Sequence, residues 1–240
     1  MKKIIKGLAL MAMLVMLSNC TTAQTGAIES KTSYAKDALQ EYVESGQLPG
    51  AISVLYKDGV QETCCIGYAD VESKRPITMN SPFMQCSQTK GFCGVTIAKL
   101  IEEGRLELDD PVSKYLPEFK TLWIRTEKTD STITLHKAKN VLTVRMVMNH
   151  TGGFPFEASV KRRDVRGGGW SGGARLRQVA AVAAETMLRF EPGTDVRYSN
   201  TGIDIGAAIV EIITGMKWED YLKQEVLDPL GMNDTWFWPT

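Results

Sequence analysis

Residues 81–119 read SPFMQCSQTKGFCGVTIAKLIEEGRLELDDPVSKYLPEF, and the fold is decided here. Val95, Ile97, Ala98, Leu100 and Ile101 recur at helical spacing, and Gly104 follows as a stop signal. The spacing predicts a helix that opens near Ser87 and closes at Gly104. Residues three apart share a helix face, so the Lys90 ammonium can lie over the Ser87 hydroxyl. A serine hydroxyl is a poor nucleophile at neutral pH and needs an adjacent base. A lysine serves as that base only where burial or nearby positive charge lowers its pKa. Backbone N–H groups at a helix start suit an oxyanion.

Spacing alone does not single out this pair, because Ser33 and Lys36 repeat the S-x-x-K pattern. That copy opens an amphipathic segment, YAKDALQEYVE, and reads as helix capping with a solvated lysine.

The chain has 240 residues, 43% of them hydrophobic, enough for a sizeable core. Lys plus Arg and Asp plus Glu both number 28, so charge gives no case for a nucleic-acid partner. Lys2, Lys3 and Lys6 precede an apolar run from Leu8 to Leu17 that is short for a membrane span. Residues 1–23 therefore read as a signal peptide, and the protein as exported to the periplasm or cell envelope. Leu17-Ser18-Asn19-Cys20 resembles a lipobox with an unusual Asn19. A lipidated Cys20 would attach the chain to the membrane, and cleavage near Ala23 is the competing outcome. Export places Cys64, Cys65, Cys86 and Cys93 in an oxidising compartment. They read as buried free thiols, and spacing selects no disulfide pairing. No Cys/His spacing suggests a metal.

Residues 24–85 are expected to form the N-terminal part of an α/β domain, and 86–240 a mostly helical region. Ala51–Tyr56 and Val60–Tyr68 flank Asp58-Gly59, a hairpin signal. Pro111 is placed at the first turn of a short helix with Asp110 as its cap. Residues 120–140 lean towards an exposed hairpin. Helices are expected over 143–149, 174–188, 203–213 and 218–227. The order gives an α+β fold with helices segregated from an antiparallel sheet.

Tyr198-Ser199-Asn200 falls in the expected loop before the 203–213 helix. A tyrosine beside a lysine loses its proton more readily and can relay protons, and an asparagine two residues on can hydrogen-bond a substrate amide. The competing reading is a buried tyrosine and a capping asparagine. Gly169-Trp170-Ser171-Gly172-Gly173 matches G-x-S-x-G, but a basic stretch precedes it instead of a hydrophobic strand. His136 and His150 also come before the serine, so the segment reads as a loop. His150, before two glycines, reads as structural. Trp236-Phe237-Trp238 reads as packing.

With Ser87, Lys90, Tyr198 and Asn200 in hand, the chain resembles the serine β-lactamase and penicillin-binding-protein superfamily, in its class C-like esterase branch. The blocks SQTKGFCGVTIAKLIEEGRLELDDPVSKYLPEF, VRMVMNHTGGFPF, FEPGTDVRYSNTGIDIGAAIVEIITG and VLDPLGM carry the resemblance in the family's order. It implies an antiparallel sheet flanked by helices plus a mostly helical domain. It also implies Ser87 as the acylated nucleophile, Lys90 as its activator and Tyr198 as general base or relay. Asn200 would contact substrate or hold Lys90. The implied activity is an exported serine hydrolase acting on an ester, amide or peptide, without metal or cofactor. A β-lactamase or D-alanyl-D-alanine carboxypeptidase is the enzyme alternative, and an inactive truncated or penicillin-binding module the non-enzyme one. The family's late Lys- or His-led triplet does not follow Asn200, so C-terminal strands are expected to be missing. Cys86 and Gly91 depart from the better-known lactamases and favour an esterase or peptidase relative.

Overall fold

The computed structural model describes residues 34–157 and 175–237. The leader, Cys20, Ser33 and the G-x-S-x-G segment lie outside these residues. The chain divides into two compact units, Met1–Phe83 and Met84–Thr240.

In the first unit, helix α1 (Tyr34–Glu44) precedes a sheet of order β1-β2-β3, with β1 Gly50–Lys57, β2 Val60–Asp70 and β3 Arg75–Pro76. β1 and β2 are antiparallel, and the hairpin closes at Lys57↔Val60. Asp58 (φ 53°) and Gly59 (φ 80°) are both left-handed, the geometry that a two-residue loop needs to match the strand twist. Alternation along β2 buries Cys64 and exposes Cys65.

The second unit is built around two helices. A 3-10 turn, Cys86–Gln88, leads into α2 (Thr89–Glu102), whose Cys93, Ile97 and Leu100 are buried at helical spacing. α5 (Asn200–Thr214) is the central helix. It buries Ile205, Ala208, Ile209 and Val210 completely, and Gly215 (φ 72°) ends it in the left-handed conformation. Burying each such branched side chain is worth about 1.5–3 kcal/mol. Small residues at 202, 206, 207 and 208 let neighbouring elements approach α5 closely. Those neighbours include α2, α3 (Val144–Met148), α4 (Leu176–Ala184) and α6 (Trp218–Leu222). The buried Thr96 hydroxyl accepts a hydrogen bond from Trp218 Nε1 at 3.1 Å, which pairs one polar contact between α2 and α6.

β4 (Trp123–Lys128) and β5 (Ile133–Lys137) form the expected hairpin. Several other expectations are corrected. Asp110 caps no α-helix: Val112–Lys114 is a 3-10 turn, and the Asp110 carboxylate accepts from Glu107 N, Lys114 Nζ and Tyr115 Oη. The helix expected over 218–227 changes to a π-turn at Lys223–Leu227. Cys65 and Cys86 are exposed instead of buried. Trp236 is exposed, while Phe237 meets Trp218 edge-on, with ring centroids 5.1 Å apart.

Candidate active site

The nucleophile candidate is presented by a strained turn. Cys86, immediately before Ser87, has φ 46°, a left-handed value that costs a residue with a Cβ about 1–2 kcal/mol. Cys86 opens the 3-10 turn that leads into α2, and this puts Ser87 and Lys90 on one face. Lys90 Nζ donates a hydrogen bond to Ser87 Oγ at 3.1 Å.

Tyr198 reaches this pair from a segment more than a hundred residues away. That segment is fixed by the loop after α3. Arg197 N donates to His150 O (2.9 Å), Gly193 N to Thr151 O (2.8 Å) and Asn200 N to Phe156 O (2.8 Å). Ser199 Oγ donates to Pro155 O (2.8 Å) and accepts from Gly202 N (3.2 Å), so one buried hydroxyl both ties the two loops and caps α5. The cap is Ser199, and Asn200 is the first residue of the helix instead of a loop residue. The loop is anchored behind by Glu191, whose carboxylate accepts from Lys139 N and Asn140 N at 2.5 and 2.6 Å.

The clamp brings the Tyr198 ring to 4.9 Å from Lys90 Nζ. Hydrogen bonding to Lys90 first, and then to Ser87, holds the Tyr198 hydroxyl below the ordinary phenol range. The tyrosine is 46% exposed, so the site is open to solvent. The His150 ring lies 4.7 Å from the Tyr198 ring, and the Phe156 ring stacks on Tyr198 at 6.0 Å. Burial, reinforced by the Lys90 charge, lowers the His150 pKa. His150 Nδ1 accepts the Ser199 N–H at 3.3 Å, as a neutral imidazole does. The histidine thus positions Tyr198 without adding positive charge.

Ser87, Lys90 and Tyr198 therefore converge. Asn200 lies beside them but binds elsewhere: Nδ2 donates to Glu157 Oε1 at 3.3 Å, and the buried Oδ1 has no partner among the described residues. Sequence reasoning missed Glu157 and Asp204. Asp204 follows Asn200 by one turn, and burial pushes its carboxyl up from 3.8 to about 6. Lys90 opposes that rise and Glu157 adds to it. The only advance signal was an acid at a position of α5 where the flanking residues are apolar.

This burial has a sign that can be measured. An acid whose folded-state pKa is raised contributes most to stability below its unfolded pKa, 3.8, and loses that contribution as pH climbs through about 6. Asp204→Asn should therefore gain on the wild type between pH 4 and 7, by on the order of 3 kcal/mol at pH 7. Urea unfolding at stepped pH checks this. A difference that does not change with pH would remove Asp204 from the account.

Known proteins are similar to this chain over most of its length. Protein flp of Staphylococcus aureus (strain COL) is 28% identical over 200 residues, covering 83% of this chain and 37% of that protein. Among solved structures, the D-amino acid amidase of Ochrobactrum anthropi SV3, complexed with D-phenylalanine, matches with TM-score 0.64. It is 26% identical over 84% of this chain and 50% of that one. EstCE1, described as a hydrolase with promiscuous acyltransferase activity, matches with TM-score 0.65 at 26% identity, over 83% of this chain and 53% of that one. The chain spans about half the length of these solved relatives and less of flp. The family model described as Beta-lactamase matches residues 35–240, so the chain belongs to the Beta-lactamase family.

Proposed function

We propose that this protein is a serine hydrolase that forms an acyl-enzyme on Ser87 with an amide or ester substrate. The observation that carries the reading is the 3.1 Å hydrogen bond between Lys90 Nζ and Ser87 Oγ, with Tyr198 held over the same lysine. Tyr198, its acidity raised by Lys90, takes the Ser87 proton as Oγ attacks the carbonyl carbon. The Lys90 ammonium stays in place and offsets the negative charge that passes from phenolate to tetrahedral oxygen. As the intermediate collapses, the protonated Tyr198 returns its proton to the departing amine or alkoxide. Water then enters, loses a proton to Tyr198, attacks the acyl carbon and releases the acid, and Ser87 recovers its proton.

An amidase and an acyl-transferring hydrolase among the matched structures favour amides and esters as the substrate class. The test is intact mass after incubation with a fluorophosphonate and, separately, with a penicillin, beside Ser87→Ala. A Ser87-dependent fluorophosphonate adduct supports the reading. A stable penicilloyl adduct moves the protein to the penicillin-binding branch. No adduct on a folded chain overturns the proposal.

A further inference from the structure

Glu157 is an exposed carboxylate at the rim of the candidate site. The Phe156 ring before it stacks on Tyr198, and its own Oε1 takes the Asn200 Nδ2–H. It forms no ion pair with any described cation. That hydrogen bond also fixes the Asn200 amide, since the flipped rotamer would set oxygen against oxygen. With Nδ2 turned to Glu157, the Asn200 Oδ1 is sealed from solvent and has no donor among the described residues. One turn along the same face of α5 lies Asp204, whose carboxylate feels both Glu157 and Lys90 and has no hydrogen-bond partner among the described residues.

Among the described residues, the acceptors here outnumber the donors. Asp204 interacts with both Glu157 and Lys90, whose Nζ is turned to Ser87 Oγ and the Tyr198 ring, and Asn200 stands one turn before Asp204 on α5. Among the described residues, two acidic side chains and one ammonium meet here, an excess of negative charge. A guest that brings positive charge and several N–H donors would relieve the Glu157–Asp204 repulsion and bond the exposed carboxylate. A primary ammonium has both properties, and the Phe156 and Tyr198 faces add cation–π attraction.

We propose that Glu157 is a specificity-determining residue, selecting substrates with a primary ammonium close to the scissile carbonyl, such as amino-acid amides, over neutral acyl donors. The inference rests on the serine hydrolase reading and narrows its substrate class.

The experiment compares two substrates that differ only in the amine, racemic phenylalanine p-nitroanilide and 3-phenylpropanoyl p-nitroanilide. It runs at pH 6.5, below the α-amino pKa of about 7.7. Wild type should show the higher kcat/KM for the amine. Glu157→Gln should cut the ratio of the two substrates about tenfold, the scale of one lost charge-assisted bond. Glu157→Lys should invert the preference. A ratio unchanged by both variants overturns the inference while Ser87 labelling by the fluorophosphonate still stands. If wild type is not labelled at all, the hydrolase reading fails, and calorimetric titration with racemic phenylalaninamide decides the inference by itself. Binding about tenfold weaker in Glu157→Gln upholds an ammonium site, and equal binding overturns it.

Discussion

Ser87→Ala abolishes covalent labelling, and Lys90→Ala and Tyr198→Phe each slow acylation of Ser87 by roughly a thousandfold, within the range for a removed proton-transfer group. The measured quantity is the second-order rate of fluorophosphonate adduct formation, followed by intact mass. The two slower variants should not multiply. Lys90 and Tyr198 serve one proton, since the first cause of the raised Tyr198 acidity is its hydrogen bond to Lys90. The double variant should therefore label about as slowly as the slower single one. Lys90→Ala should also move the acid limb of the rate profile to higher pH. Without the neighbouring ammonium the phenol returns towards its ordinary value, 10.0, and is protonated over more of the pH range. Independent, multiplying effects would mean that the two residues act at different steps. Less than tenfold loss from either would take that residue out of the proton path.

How far the site could be read from sequence follows from the distances its contacts span. Ser87 and Lys90 are three apart on one helix, so their hydrogen bond is local and the spacing announced it. Tyr198 stood as a proton-relay candidate beside a competing buried-tyrosine reading, because its place is set by bonds to His150, Pro155 and Phe156, more than forty residues away. The start of α5 was misplaced by three residues for a related reason. Ser199 is a legible cap residue, but Thr201 and Gly202 after it break the apolar pattern and moved the expected start to Ile203. Glu157 follows an apolar loop with no periodicity, so nothing local distinguishes it from a solvated acid. Its meaning comes from the Asn200 amide alone. The fold class was more accessible, since the Asp58-Gly59 hairpin and the α2 pattern are both short-range signals. The π-turn at Lys223–Leu227 was not, because one widened turn hardly disturbs the hydrophobic period.

Gly202→Ala reverses the usual sign of a glycine replacement in a helix. In an open helix interior that change stabilises by about 1 kcal/mol, through backbone entropy. At Gly202 a Cβ would lie 2.6 Å from Val147 O, the backbone of α3, and backbone cannot turn aside as a side-chain end does. Overpacking of this kind costs about 1–3 kcal/mol, enough to cancel the gain and lower Tm by several degrees in a domain of this size. Two neighbours calibrate the result. Gly94, on α2, has nothing within 4 Å of its Cβ position, so Gly94→Ala should raise Tm. Gly206 meets Met148 Sδ at 2.5 Å, but a methionine end is mobile, so Gly206→Ala should fall between the two. The effect should also reach the site, because Gly202 N–H bonds the Ser199 Oγ that holds α5 to the Pro155 loop. Pushing α5 off α3 moves Ser199, and with it Tyr198, away from Lys90. Gly202→Ala should therefore lose Ser87 labelling at temperatures where it is still folded by circular dichroism, while Gly94→Ala labels at the wild-type rate. If Gly202→Ala proves as stable as Gly94→Ala, the close approach of α3 and α5 is wrong, and with it the route by which the central helix aims Tyr198.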